Sequence, residues 1–83
     1  MFDKIIEIIA EITGFEDRDV IATADLLEDG ILDSMSFVTL IDTLEEEFFI
    51  EVQPTTVPPE TWRSAPAIAA LVERRLRGAV KEQ

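Results

Sequence analysis

The sequence predicts an all-α bundle of three main helices and one short helical piece, on three observations. Apolar residues recur at spacings of three and four in three separate segments. Those segments are bounded by start and stop residues, with Gly14, Ser34, Ser64 and Gly78 at the boundaries. The chain has 83 residues, enough for one domain with a limited core, which favours economical helix packing.

The first helix is expected from Phe2 to Thr13, because Phe2, Ile5, Ile6, Ile9 and Ile12 share one face and Asp3, Lys4, Glu7 and Glu11 the other. Gly14 ends it. Residues 15–33 read as a long connection punctuated by Asp17 and Asp25. Leu26, Leu27, Ile31 and Leu32 are too apolar for a solvated loop and are expected to fold back onto the core, with Gly30 supplying a turn. The second helix runs from Ser34 to about Phe48 on a stripe of Phe37, Leu40, Ile41, Leu44 and Phe48, with Ser34 placed as its N-cap. Pro54, Pro58 and Pro59 make the next segment extended. A short helical piece is expected over Pro59–Arg63, with Pro at its first position and Trp62 packing inward. The last helix starts after Ser64, has Pro66 in its first turn, and buries Ile68, Leu71, Val72 and Leu76. Arg74, Arg75 and Arg77 suit the negative end of its dipole, and Gly78 is expected to stop it, leaving 78–83 frayed beyond a core of about 2–77 in a single domain.

Composition excludes much chemistry. The chain has no cysteine and no histidine, so disulfides, zinc sites and catalytic triads or dyads built on those residues are ruled out. No base and nucleophile can be paired, so the chain is not expected to be an enzyme. Net charge is −11 and unevenly spread. Residues 1–62 hold sixteen acids against Lys4 and Arg18, a net −14, whereas residues 63–83 carry a net +3. So negative a body repels phosphate backbones and steers partners that present basic patches. The opening residues have neither the charge pattern of a signal peptide nor that of a transit peptide, and no apolar run is long enough to span a membrane. A cytoplasmic location and a monomer are the expectations.

The segment Asp25-Leu26-Leu27-Glu28-Asp29-Gly30-Ile31-Leu32-Asp33-Ser34-Met35 is the informative one. At Asp33-Ser34-Met35, with Gly30 and an apolar pair before it and an acidic helix after it, the chain resembles the acyl carrier protein family from Ile5 to Leu76. That resemblance implies a four-helix bundle of acyl carrier protein type. It also implies a covalent 4'-phosphopantetheine on Ser34, with Asp33 assisting the phosphopantetheinyl transferase that installs it. The local physics agrees, since a serine at a helix start exposes its hydroxyl near free N–H groups and the positive end of the dipole. Ser36 is the rival hydroxyl, inside the first turn, and the signature favours Ser34.

Carriers of this family hold an acyl or aminoacyl group as a thioester and present it to a succession of enzymes. The implied partners are the transferase, an adenylating ligase or acyltransferase that loads the arm, and a downstream acyl-accepting or condensing enzyme. Met35 and Val38 lie beside Ser34 and away from the core stripe, which makes them the candidate apolar docking contact. Asp42 and Glu45, with Glu46 and Glu47, extend an acidic surface along the same helix; a solvated face is the alternative, and the resemblance favours Asp42 and Glu45 as partner-docking residues within a steering field. Fatty-acid members of the family often carry an acid where Thr39 lies, and this chain does not. Trp62-Arg63-Ser64-Ala65 and Gly30-Ile31-Leu32-Asp33-Ser34-Met35 are similar to D-alanyl carrier proteins. A carrier for polyketide or nonribosomal peptide biosynthesis stays open beside that one.

Two other classes compete. Counting Asp25 as position one of a calcium loop puts Asp29 at five and Gly30 at six, but Leu27 then falls at position three and Ser36 at twelve, so the loop is not an EF-hand and no metal site is expected. An acidic helical interaction module without cofactor would keep the fold and leave Ser34 as a simple cap.

Overall fold

The computed structural model of the protein describes residues 1–81. Within them the chain forms α1 (Phe2–Thr13), α2 (Arg18–Thr23), α3 (Ser34–Phe48) and α4 (Ala65–Lys81). Two 3-10 turns, Pro54–Thr56 and Pro59–Arg63, lie between α3 and α4. Among the described residues there is no strand, in keeping with the all-α expectation.

The helix α1 packs against α2, α3 and α4, so its isoleucines form the middle of the bundle. Ile5 and Ile9 are fully buried, and Ile8 joins Ile6 at the edge of the core. Leu40 and Leu44 meet them from α3, Ile68 and Val72 from α4, and Ile21 from α2. Burying each such side chain is worth about 1.5–3 kcal/mol. No polar or charged residue among those described is buried. Gly14 closes α1 in the left-handed region at φ 74°, returning its N–H to Ala10, which is the stop expected of it.

The segment expected to be a connection from 15 to 33 contains the extra helix α2, started by the Asp17 side chain, which accepts the Val20 N–H at 3.2 Å. The rest folds back as expected for Leu26, Ile31 and Leu32, which are buried, but Leu27 is exposed. Leu27 lies in the turns of 26–30, where successive side chains point in different directions, and its N–H donates to the Asp25 carboxylate at 3.2 Å. The short piece at Pro59–Arg63 is a 3-10 turn with Pro59 leading, and its Trp62 is buried edge-on against Phe37 with ring centroids 5.2 Å apart. Ser64 starts α4, accepting the Ala67 N–H at 3.2 Å. Gly78 does not stop α4, which continues to Lys81. Glycine only weakens a helix interior unless the backbone turns left-handed there. The expectation of a frayed end falls, at 82–83, outside the described residues.

Candidate functional site at the start of α3

The approach to α3 is a folded loop. Leu26 donates its N–H to the Arg63 carbonyl at 2.6 Å, and Leu32 donates to the Leu26 carbonyl at 2.8 Å. Asp25 accepts the N–H groups of Leu27 and Glu28 and takes Arg63 Nη1 at 2.8 Å. Asp29 accepts the Asp25 N–H at 3.2 Å. The Glu28 N–H first, and the Arg63 guanidinium after it, hold the Asp25 carboxyl below its ordinary value of 3.8. With Ile31 and Leu32 in the core, this network delivers the chain to Asp33 on a fixed path.

Asp33, and not Ser34, caps α3. Its backbone is extended, and its Oδ1 accepts the Ser36 N–H at 2.8 Å. That bond, joined by the Ser36 hydroxyl, lowers the Asp33 pKa below 3.8. Ser36 is half-buried and turned toward the cap. Ser34 is the first helical residue; it is exposed, and no hydrogen bond among the described residues engages its hydroxyl. The two hydroxyls therefore differ in kind. One is exposed and has no hydrogen-bond partner among the described residues, and the other belongs to a half-buried residue whose N–H serves the local cap.

The structure places Met35 and Val38 on the exposed side of α3, at 80% and 59% exposure, away from half-buried Phe37 and buried Leu40 and Ile41. Asp42 is exposed on the same side. Thr39 and Thr43 bond their hydroxyls back to the carbonyls of Met35 and Thr39 at 3.0 and 2.8 Å. Glu45 stands apart from the other acids. It is half-buried, and its Oε2 accepts the Val52 N–H at 2.9 Å, tying the segment after α3 back to the helix. Sequence reasoning grouped it with the steering acids because nothing in its neighbours signals a bond seven residues away. It also missed Arg63, which secures the Asp25 loop from 38 residues downstream. Among the described residues no three acidic side chains gather as they would for a metal.

A phosphodiester fits at Ser34 Oγ in one respect and meets a constraint in another. Access is open and the positive end of the α3 dipole is beside it. The Ser36 N–H, however, donates to the Asp33 carboxylate and the Phe37 N–H to the Asp33 carbonyl, so these two are not free for a phosphate as sequence reasoning supposed. The site fits a group held by its covalent bond and extending into solvent. It does not offer an anion cradle.

Comparison with known proteins gives the same direction. The family profile described as a phosphopantetheine attachment site matches residues 3–74. A D-alanyl carrier protein of Lactococcus lactis subsp. cremoris is 39% identical over 75 residues, covering 90% of this chain and 95% of its own length. One from Lactococcus lactis subsp. lactis is 37% identical over the same span. One from Lacticaseibacillus casei is 31% identical over 70 residues, covering 84% of this chain and 86% of its own.

Proposed function

Because the chain belongs to the phosphopantetheine attachment-site family, we propose that it is a stand-alone aminoacyl carrier whose prosthetic arm is attached at Ser34. The supporting observation is the contrast within one helix turn: Ser34 exposes an unengaged hydroxyl, and Ser36 is drawn into the Asp33 cap. When bound, the arm supplies the terminal thiol that a cysteine-free chain lacks, and an aminoacyl group rides on it as a thioester. The protein's own task is to hold Ser34 Oγ at the head of a rigid helix, where a transferase and then a loading enzyme can reach it. The name of the Lactococcus relatives makes D-alanine the first cargo to try, with an adenylating ligase as the loading partner.

Asp33 has two tasks in this reading. Its cap fixes the first turn, and its charge beside Ser34 is available to a metal ion or a basic residue of the transferase. Met35, Val38 and Asp42 form the docking face, apolar near the arm and acidic farther along α3. Glu45 adds charge to that face while keeping its bond to Val52. Among the described residues no helix is long and apolar enough to cross a membrane, and serial docking suits a monomer.

The deciding experiment is intact mass after incubation with a phosphopantetheinyl transferase and coenzyme A. Wild type and Ser36→Ala are expected to gain one phosphopantetheine, and Ser34→Ala none. A gain that persists in Ser34→Ala and disappears in Ser36→Ala would move the attachment point and end the assignment.

A further inference from the structure

The end of α3 carries a feature that the fold does not need. Phe49 closes the helix in the left-handed region, at φ 54° and ψ 48°, the only non-glycine residue among those described with a positive φ. That position is ordinarily filled by glycine or asparagine, because a Cβ is crowded there. A phenylalanine adds a second penalty, since its ring is 90% exposed. Ile50, the next residue, supplies the apolar contact that such a helix end makes with the core, so the ring is not required to hold the turn. Strain at an exposed aromatic is a sign of a function outside the folding of the chain itself.

Its neighbours indicate what kind. At 3.6 residues per turn, Met35, Val38 and Asp42 fall within a sector of about 60° around the axis, opposite the buried stripe, and Phe49 directly follows the last helical residue. All four are exposed. Met35 and Phe49 are separated by about 21 Å along the helix at 1.5 Å per residue. Asp42, Glu46 and Glu51 are exposed around the distal end, so the apolar ring is framed by acids. That frame decides between occupants. A second copy of a chain with net charge −11 would bring acid against acid, and a membrane or nucleic acid of negative charge would be repelled in the same way. A protein face with an apolar pocket bordered by lysine or arginine is complementary in both respects.

We propose that Phe49 is a second docking anchor, inserted into an apolar, cation-bordered pocket of the enzyme that loads the carrier. The contact at the far end of α3 fixes the angle at which Ser34 is presented. This rests on the carrier reading above.

The test compares wild type, Phe49→Gly and Phe49→Tyr, each converted to the holo form by exhaustive phosphopantetheinylation and verified by intact mass before use. Phe49→Gly removes both penalties, so its thermal midpoint is expected to rise by about 4–8 °C. In loading by the adenylating ligase that charges wild type, its KM is expected to rise about tenfold or more with kcat little changed, since a buried aromatic contact of this size accounts for at least that factor. Phe49→Tyr keeps the ring and should load like wild type. Loading of Phe49→Gly at the wild-type KM overturns the proposal while the mass gain leaves the carrier reading intact. Failure of every variant and wild type to gain mass removes the carrier reading and the proposal with it. Sedimentation showing a wild-type dimer that Phe49→Gly dissociates would give the face to a second copy, and also overturns it.

Discussion

Asp33 and Ser34 are adjacent, and either side chain is chemically able to cap a helix. The structure assigns the cap to the aspartate, and this frees the serine hydroxyl. The choice has a pH signature. The Ser36 N–H and hydroxyl keep the Asp33 carboxyl ionised to lower pH in the folded chain than in the unfolded one. A carboxyl with a depressed folded pKa adds stability above its unfolded value, here the ordinary 3.8, and that addition is lost as pH falls through the folded value. Asp33→Asn preserves an oxygen for the cap and removes the charge. Unfolding by denaturant should find wild type more stable than Asp33→Asn near neutral pH, with the difference closing below about pH 4. A gap that stays constant into the acid range would mean that the charge is not linked to folding. The same variant separates the two tasks proposed for Asp33: an intact fold with slowed phosphopantetheine transfer assigns the charge to the transferase.

The three long helices were legible because each buries a stripe with the helical period, and a stripe of four or five apolar residues is hard to produce otherwise. Trp62 and the 3-10 turn opened by Pro59 were legible from proline's fixed φ and from the size of the indole. The six residues of α2 were not. A helix so short is unstable alone and has too few turns to show a period, and only Ile21 within it is fully buried. The Asp25–Arg63 pair and the Glu45–Val52 bond were hidden because they depend on tertiary position, which residue spacing does not encode. This account implies that α2 is held by packing more than by its own ends. Ile21→Ala is expected to cost about 2–5 kcal/mol, against about 1 kcal/mol for Asp17→Ala, which removes the cap. For a chain of this length total stability is roughly 4–12 kcal/mol, so Ile21→Ala should shift the denaturation midpoint heavily and Asp17→Ala slightly. Equal shifts would refute the packing account.

At the scale of the whole molecule, the charge is unevenly divided along the chain: a net −14 over residues 1–62 and +3 over 63–83. A field of this kind acts on the rate of encounter more than on the strength of the final contact. Position matters beside total charge, because exposed charges farther apart than a Debye length, about 8 Å at physiological salt, are largely screened from one another. Asp42 lies on the exposed face of α3 and has no ion-pair partner among the described residues, whereas Glu47 is paired with Lys4 at 3.8 Å and Glu45 is engaged by Val52. Charge reversal at Asp42 therefore tests steering without disturbing the fold, which reversal at Glu45 would not. Asp42→Lys should slow loading by the adenylating ligase several-fold at low salt through kcat/KM. The deficit should shrink toward nothing near 1 M salt, where the Debye length is about 3 Å. Asp19→Lys changes the net charge by the same amount at exposed Asp19 on α2, away from α3, and is the control. If both reversals slow loading equally, the partner responds to total charge alone. If neither does at low salt, the acidic face has no part in docking, and the apolar contacts along α3 must orient the carrier unaided.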